Sequence, residues 1–454
     1  MPCFVHRPNP IPRAVAALAA ALLVACGGGG GDSGPPPAAS CTVEDQKGWL
    51  AAYLDEWYFW YRLAPRPNPA TFDNVEAYFR ASLYTGSDAA FPADRWSGSE
   101  STEAFNRFFG DGATLGYGMS VSGLEVAGQG DQPLLVRYVE PRSDAAAQGV
   151  QRGDRVLSLN GRPAAELVAA NDFALLTPAQ AGDTLQVVLR TPAGVERSVR
   201  LTASVFALTP VPIAQVVQTP GGRRVGYLMV NQMISQAESG LIAAFAQFSN
   251  QGVQDLVLDL RYNGGGLVSL AALLGSYLAG PQAAGQTFAN LLYNDKRAAT
   301  NNQAFRFSSP TFALGLPRVY VLTGRRTCSA SEQVINGLRP FAQVISVGDT
   351  TCGKPVGFLP TSLCGTTYSV VNFESVNARN EGRYWDGFDA SCPRGEGANL
   401  PLGTPGEPLL ATALAHADSG SCPQASRASA SARRAPAAAP RRLEPGERHD
   451  MIPR

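Results

Sequence analysis

Asp255-Leu-Val-Leu-Asp-Leu-Arg-Tyr-Asn-Gly-Gly-Gly266 begins as a short, mainly apolar run and ends in three consecutive glycines. A run of that length closed by turn residues reads as a buried strand, and the apolar stretch from Leu267 to about Leu278 reads as the helix after it. The same unit recurs on both sides. Upstream, Val225-Gly-Tyr-Leu-Met-Val230 is a strand, and Ser235 to Asn250 is an amphipathic helix carrying Leu241, Ile242, Phe245 and Phe248. Downstream, Arg318-Val-Tyr-Val-Leu322 runs into Thr327-Cys-Ser-Ala-Ser-Glu332, a helix from Ala330 to Leu338 and a strand at Gln343-Val-Ile-Ser-Val347. Alternating strand and helix predict a largely parallel sheet with helices on its faces. Functional groups in such sheets collect where strands end. Asn263–Gly266 and Thr327–Ala330 both occupy such ends.

The chain has 454 residues, 45% hydrophobic and 16% charged, enough for two or three packed domains. Lys+Arg and Asp+Glu both number 37, so net charge gives no reason to expect nucleic acid as a partner. Residues 1–25 read as an export signal. Arg7 and Arg13 precede the apolar run Ala14–Ala25, which is too short for a permanent membrane span. Leu23-Val-Ala-Cys26 resembles the lipobox of bacterial lipoproteins, which implies lipidation of Cys26 and anchoring to a membrane by lipid alone. Gly27 after that cysteine favours the outer membrane, with the protein facing the periplasm. Residues 26–40, rich in Gly and Pro, form a flexible tether.

Export places the remaining cysteines in an oxidising compartment. Cys41, Cys328, Cys352, Cys364, Cys392 and Cys422 are disulfide candidates, and the expected pairs are Cys328–Cys352, Cys364–Cys392 and Cys41–Cys422. No Cys/His spacing supports a metal site.

Residues 41–112 read as a helical domain. Thr42-Val-Glu-Asp45 is a capping signal, and Trp49, Leu50, Tyr53, Leu54 and Trp57 follow at helical spacing. From 113 to 205 the pattern changes to short strands and turns. Leu115-Gly-Tyr-Gly-Met119, the strand Leu134–Val139, an Ala-rich helix and Gly153-Asp-Arg-Val-Leu-Ser-Leu-Asn-Gly161 follow in order. That order resembles a PDZ domain. The resemblance implies that an extended peptide end adds to its sheet edge, with the backbone of Leu115, Gly116, Tyr117, Gly118 and Met119 receiving the terminal carboxylate. Thr209 to Pro220 reads as a linker, and 206–422 as a further domain. Residues 423–454, without periodicity, read as disordered.

Ser329 ends a strand–loop unit and precedes a helix whose first amides are suited to an oxyanion. The same position suits a serine that merely caps a helix. The available bases distinguish these roles. Of three histidines, His6 lies in the signal, His449 in the tail and His416 at the end of the last helix. The lysines are Lys47, Lys296 and Lys354 in a chain that otherwise uses arginine. Lysine serves as a base when burial lowers its pKa, whereas arginine does not release its proton. Lys354 follows Gly353 on a loop beyond a core strand.

Ser329-Ala-Ser-Glu332, then Gly353-Lys354, together with Asp259-Leu-Arg-Tyr-Asn-Gly-Gly-Gly266 and the preceding PDZ-like pattern, resemble the carboxyl-terminal processing (tail-specific) serine peptidases of family S41. The resemblance implies a multidomain α+β chain with an N-terminal helical segment, a PDZ domain and an α/β, ClpP/crotonase-like peptidase core. It implies Ser329 as nucleophile, Lys354 as general base, and an oxyanion hole from Ala330 and a glycine of the 264–266 run, with Gly265 chosen. No metal or cofactor is required, and the expected partners are proteins or peptides with free, apolar C-termini. One position departs from the pattern. Phe358 stands where the family commonly carries a glutamine that orients the lysine, so Glu332, Ser331 or a backbone carbonyl is left to do so. The alternative function is an inactive, PDZ-bearing peptide-binding scaffold. A penicillin-interacting Ser-x-x-Lys enzyme does not fit, because Thr351 stands where that spacing before Lys354 needs serine.

Overall fold

The structure, a computed structural model, describes residues 40–126, 128–398, 400–423 and 448–453. The export signal, Cys26 and most of the tether lie outside the described residues. Among the described residues, no helix is long and apolar enough to cross a membrane.

The central sheet has the expected parallel core. Arg224–Met229, Asp255–Asp259, Arg318–Thr323 and Gln343–Gly348 lie side by side in parallel, and Cys392–Pro393 extends one edge. The expected linker is corrected at the other edge. Ile213–Gln218 is a strand antiparallel to Arg224–Met229. Its alternation is weak because an edge strand leaves most of its side chains half-buried. The helices Glu238–Asn250, Val268–Ala279 and Ala330–Leu338 cover one face through Phe245, Phe248, Leu274 and Val334. The helix Pro408–Ser419 covers the other with Leu409, Leu410, Ala413 and Leu414. A second, antiparallel sheet of Gln303–Arg306, Thr287–Tyr293, Val371–Val376 and Val356–Phe358 packs beside this core.

The N-terminal helix spans Val43–Trp57, and the Thr42 side chain accepts the Asp45 amide as its cap. Its aromatic stripe is core, but not the core of a separate domain. Trp49, Tyr53 and Trp57 share one cluster with Val356, Phe358 and Phe373 of the second sheet and with Tyr368 beside it. Gly98–Ser101 also pairs with Thr366–Ser369. The segment is therefore built onto the peptidase-like domain.

The PDZ-like region forms its own sheet from Met119–Val121, Leu134–Val139, Arg155–Leu159, Thr184–Arg190 and Glu196–Thr202 around a separate core. Asn160 and Gly161 take φ 47° and 80°, the mirror-image turn that a two-residue hairpin needs. Leu115 and Gly116 lie in the strand Ala113–Gly116, paired with Ser204–Ala207. Tyr117 is buried, and Gly118, at φ 83°, turns the chain into the edge strand that begins at Met119. Arg326, three residues before Ser329, reaches this domain, donating to the Val121 carbonyl at 3.3 Å and pairing with Glu125 at 3.4 Å.

The disulfides are Cys41–Cys364, Cys328–Cys352 and Cys392–Cys422. All six candidates are paired, but two of the three expected pairs are corrected. Cys41 joins Cys364 because the N-terminal helix, through Trp49, packs against Tyr368 of the hairpin that carries Cys364 at its turn. Cys422 joins Cys392 because the last helix returns along the sheet edge that Cys392 forms.

The tail expectation is corrected as well. Residues 424–447 lie outside the described residues, but Met451–Ile452 is a strand, parallel to Gly266–Leu267. Met451 and Ile452 are fully buried, Met451 in the cluster of the N-terminal helix and Ile452 in the main core.

Candidate active site

The Ser329 turn is strained and firmly held. Ser329 takes φ 60°, ψ −119°, a region that costs a non-glycine residue ~1–3 kcal/mol. Neighbouring bonds enforce it. Thr327 Oγ1 donates to the Leu260 carbonyl at 2.9 Å. The Cys328 amide and Ser331 Oγ donate to the Asn263 carbonyl at 3.2 and 3.0 Å. The serine turn is thus bolted to the loop that leads into the glycine run. Ser329 and Glu332 stand in capping-box positions, with the Glu332 carboxylate accepting the Ser329 amide, yet the buried Ser329 Oγ has no hydrogen bond of ordinary length among the described residues, which leaves it available as a reacting group.

Glu332 organises the other half. Its wholly buried carboxylate accepts the amides of Ser329 (2.9 Å), Gly353 (2.8 Å) and Lys354 (2.8 Å) and the Thr351 hydroxyl (2.6 Å). Burial pushes its pKa up, and these donors hold it down. The Cys352 amide donates to the Thr327 carbonyl at 3.0 Å, and the Cys328–Cys352 bridge, Cα to Cα 5.1 Å, ties the same two loops covalently.

Lys354 is fully buried, and burial pulls its ammonium down to about 7, against the opposing pull of Asp450, Asp94 and Glu332. Its Nζ lies 3.7 Å from the centre of the Phe358 ring and donates to the His449 carbonyl. Of the orienting groups left open by Phe358, a backbone carbonyl holds the amine. Glu332 fixes the lysine's backbone, and Ser331 is committed to Asn263. The other lysines serve elsewhere. Lys47 donates to the Pro69 and Phe72 carbonyls, and Lys296 pairs with Asp55.

The glycine run makes room for a peptide backbone. A Cβ on Gly264 would lie 1.7 Å from the Arg448 carbonyl oxygen, one on Gly265 2.3 Å from that of Asp450, and one on Gly357 2.5 Å from that of Met451. The chain's own residues 448–452 fill this space. The Asp450 amide donates to the Gly264 carbonyl at 3.2 Å, and its carbonyl oxygen accepts the Gly266 amide at 2.5 Å and the Ala330 amide at 3.5 Å.

This geometry corrects the choice of glycine. The Gly265 amide is spent on Asn263 Oδ1 at 2.8 Å, so the amide aimed into the site with that of Ala330 belongs to Gly266. An Asx turn in Asn263-Gly-Gly was the sequence signal for this. His449 also differs from expectation. It lies in the site, with a ring nitrogen within 4.8 Å of the Cys328 and Cys352 sulfurs. His416 is at the far side of the sheet, 3.1 Å from the Tyr320 hydroxyl. Of the five PDZ-loop residues, Leu115 shares a cleft of about 770 Å³ with Phe358, Arg448 and Asp450, and Met119 lines a second cleft with Gly264, Gly265 and Asp450.

Three family descriptions match successive parts of the chain: a peptidase S41 N-terminal domain at 45–98, a PDZ domain at 112–190 and peptidase family S41 at 224–382. A carboxyl-terminal-processing protease of Picosynechococcus is 29% identical over 220 residues, 47% of this chain and 49% of that protein. A chloroplastic C-terminal processing peptidase of Tetradesmus obliquus is 27% identical over 249 residues, 51% of this chain and 50% of that protein. The chain thus spans about half the length of the curated relatives it matches. A crystal structure of an S41 protease from Bacteroides fragilis superimposes with TM-score 0.64 at 28% identity, covering 82% of this chain and 97% of that one.

Proposed function

The chain belongs to peptidase family S41, with a PDZ domain, and from that membership we propose that it is a serine endopeptidase working by a Ser329–Lys354 dyad. One observation carries this reading. Consecutive carbonyls of one extended segment meet the two halves of the site, His449's at Lys354 Nζ and Asp450's at the Gly266 and Ala330 amides. Lys354, uncharged above about pH 7, takes the Ser329 proton as Oγ attacks the carbonyl carbon. The amides of Gly266 and Ala330 stabilise the oxyanion. Lys354 then passes the proton to the leaving nitrogen, and water hydrolyses the acyl-enzyme.

The substrates are protein or peptide chains with free, apolar C-termini, docked on the PDZ edge at Met119–Val121. Lipid on Cys26 holds the enzyme at the outer membrane, facing the periplasm. The test is labelling by a fluorophosphonate together with digestion of casein. Both are expected of the parent and neither of Ser329→Ala. Labelling that survives in Ser329→Ala, or no turnover of any unfolded substrate, overturns the assignment and favours the scaffold.

A further inference from the structure

We propose that the chain is its own substrate, and that it cuts the bond between Asp450 and Met451 to release the segment that begins at Met451. This rests on Ser329 and Lys354 being the catalytic pair.

The segment is held as a peptidase holds a peptide, extended along an existing strand. It pairs in parallel register with the glycine strand, Met451 opposite Gly266 and Ile452 opposite Leu267. The carbonyl that this register sets between the Gly266 and Ala330 amides is that of Asp450. The bond it activates is therefore the one to Met451. Gly264, Gly265 and Gly357 leave no side chain in the path of this backbone, and any Cβ there would collide with it.

Both sides of that bond are anchored by side chains. On the N-terminal side Arg448 forms paired bonds to Glu100 at 2.6 and 2.7 Å, and its guanidinium lies 4.6 Å from the Phe108 ring centre. Its Nε also donates to Asp450 at 2.9 Å. On the C-terminal side Met451 and Ile452 are buried as completely as any core residue. Met451 packs in the cluster that contains Phe358, the ring that also faces Lys354 Nζ. Full burial of the apolar Met451 and Ile452 side chains fixes the register against slippage.

The reaction balances as ordinary hydrolysis. Ser329 Oγ bonds to the Asp450 carbonyl carbon, and the carbon–nitrogen bond to Met451 breaks. The serine proton reaches the Met451 nitrogen through Lys354. Water then attacks the Asp450–Ser329 ester and returns a proton to Ser329. One water is consumed, Asp450 gains a carboxyl group, and Met451 becomes a free amino terminus.

The test is the intact mass of the purified full chain, with casein digestion measured on the same preparations. The parent is expected to end at Asp450, while Ser329→Ala and Met451→Pro keep Arg454. A parent that digests casein yet keeps Met451–Arg454 overturns self-cleavage and leaves the peptidase reading intact. A Ser329→Ala chain that also ends at Asp450 overturns it too, since another protease then makes the cut. A parent that neither digests casein nor loses the segment from Met451 onward overturns both readings together.

Discussion

One oxygen of Glu332, Oε2, accepts the backbone amide of Ser329 at 2.9 Å and that of Lys354 at 2.8 Å. Nucleophile and base are thereby indexed to a single buried atom. Glu332→Gln keeps the shape but turns an amide group toward donors that the carboxylate accepted. Leaving buried donors unsatisfied costs ~1–3 kcal/mol each. The expected result is a loss of ~2–4 kcal/mol in denaturant unfolding and a casein-digestion rate that falls further than the loss of folded protein explains.

The bridge between Cys328 and Cys352 acts on the same two loops. Replacing both by alanine removes a cross-link closing a short loop, which is worth ~3 kcal/mol. Urea unfolding of the double variant is expected to shift by about that amount, and turnover at saturating substrate to fall. If neither changes, the bridge does not position the site.

The depressed pKa of Lys354 sets two pH effects that run in the same direction. Catalysis needs the neutral amine, so kcat/KM is expected to rise with pH through about 7 and then level. Stability follows from proton binding. The folded amine loses its proton at about 7 and the unfolded one near 10.5, so between these values the unfolded chain holds more protons. The burden of burying Lys354 is therefore greatest below pH 7 and lifts as pH rises to 10.5. Lys354→Met is expected to abolish activity yet raise stability by ~1–3 kcal/mol at neutral pH, read as a higher melting temperature. Lys354→Arg is expected to be inactive too, because guanidinium stays charged.

Gly264 separates access to the nucleophile from access of a peptide. Its φ is outside the left-handed region, so alanine fits the backbone, but the new Cβ would meet a bound peptide at the position of the Arg448 carbonyl. Gly264→Ala is expected to retain fluorophosphonate labelling of Ser329 and to lose casein digestion by at least ~100-fold. Equal loss of both would place the effect in the fold instead.

Much of this was legible in the chain itself. The run Asp255–Gly266 and its neighbours announced a parallel sheet through apolar strands of uniform length, because burial on both faces demands them. Asn160-Gly161 announced its hairpin, since few other residues tolerate two positive φ values. The edge strand Ile213–Gln218 was missed because only Val217 in it is buried.

What the sequence by itself determined is the local chemistry: a serine at a strand end, a lysine in an arginine-rich chain, and glycines where a backbone must pass. Tertiary structure alone decided the pairings. Cys41 meets Cys364 across 323 positions, and Met451–Ile452 returns to the cleft. The reason is physical. Propensity and spacing act over a few residues, whereas a contact between distant segments exists only after burial of their apolar faces has repaid the entropy of bringing them together.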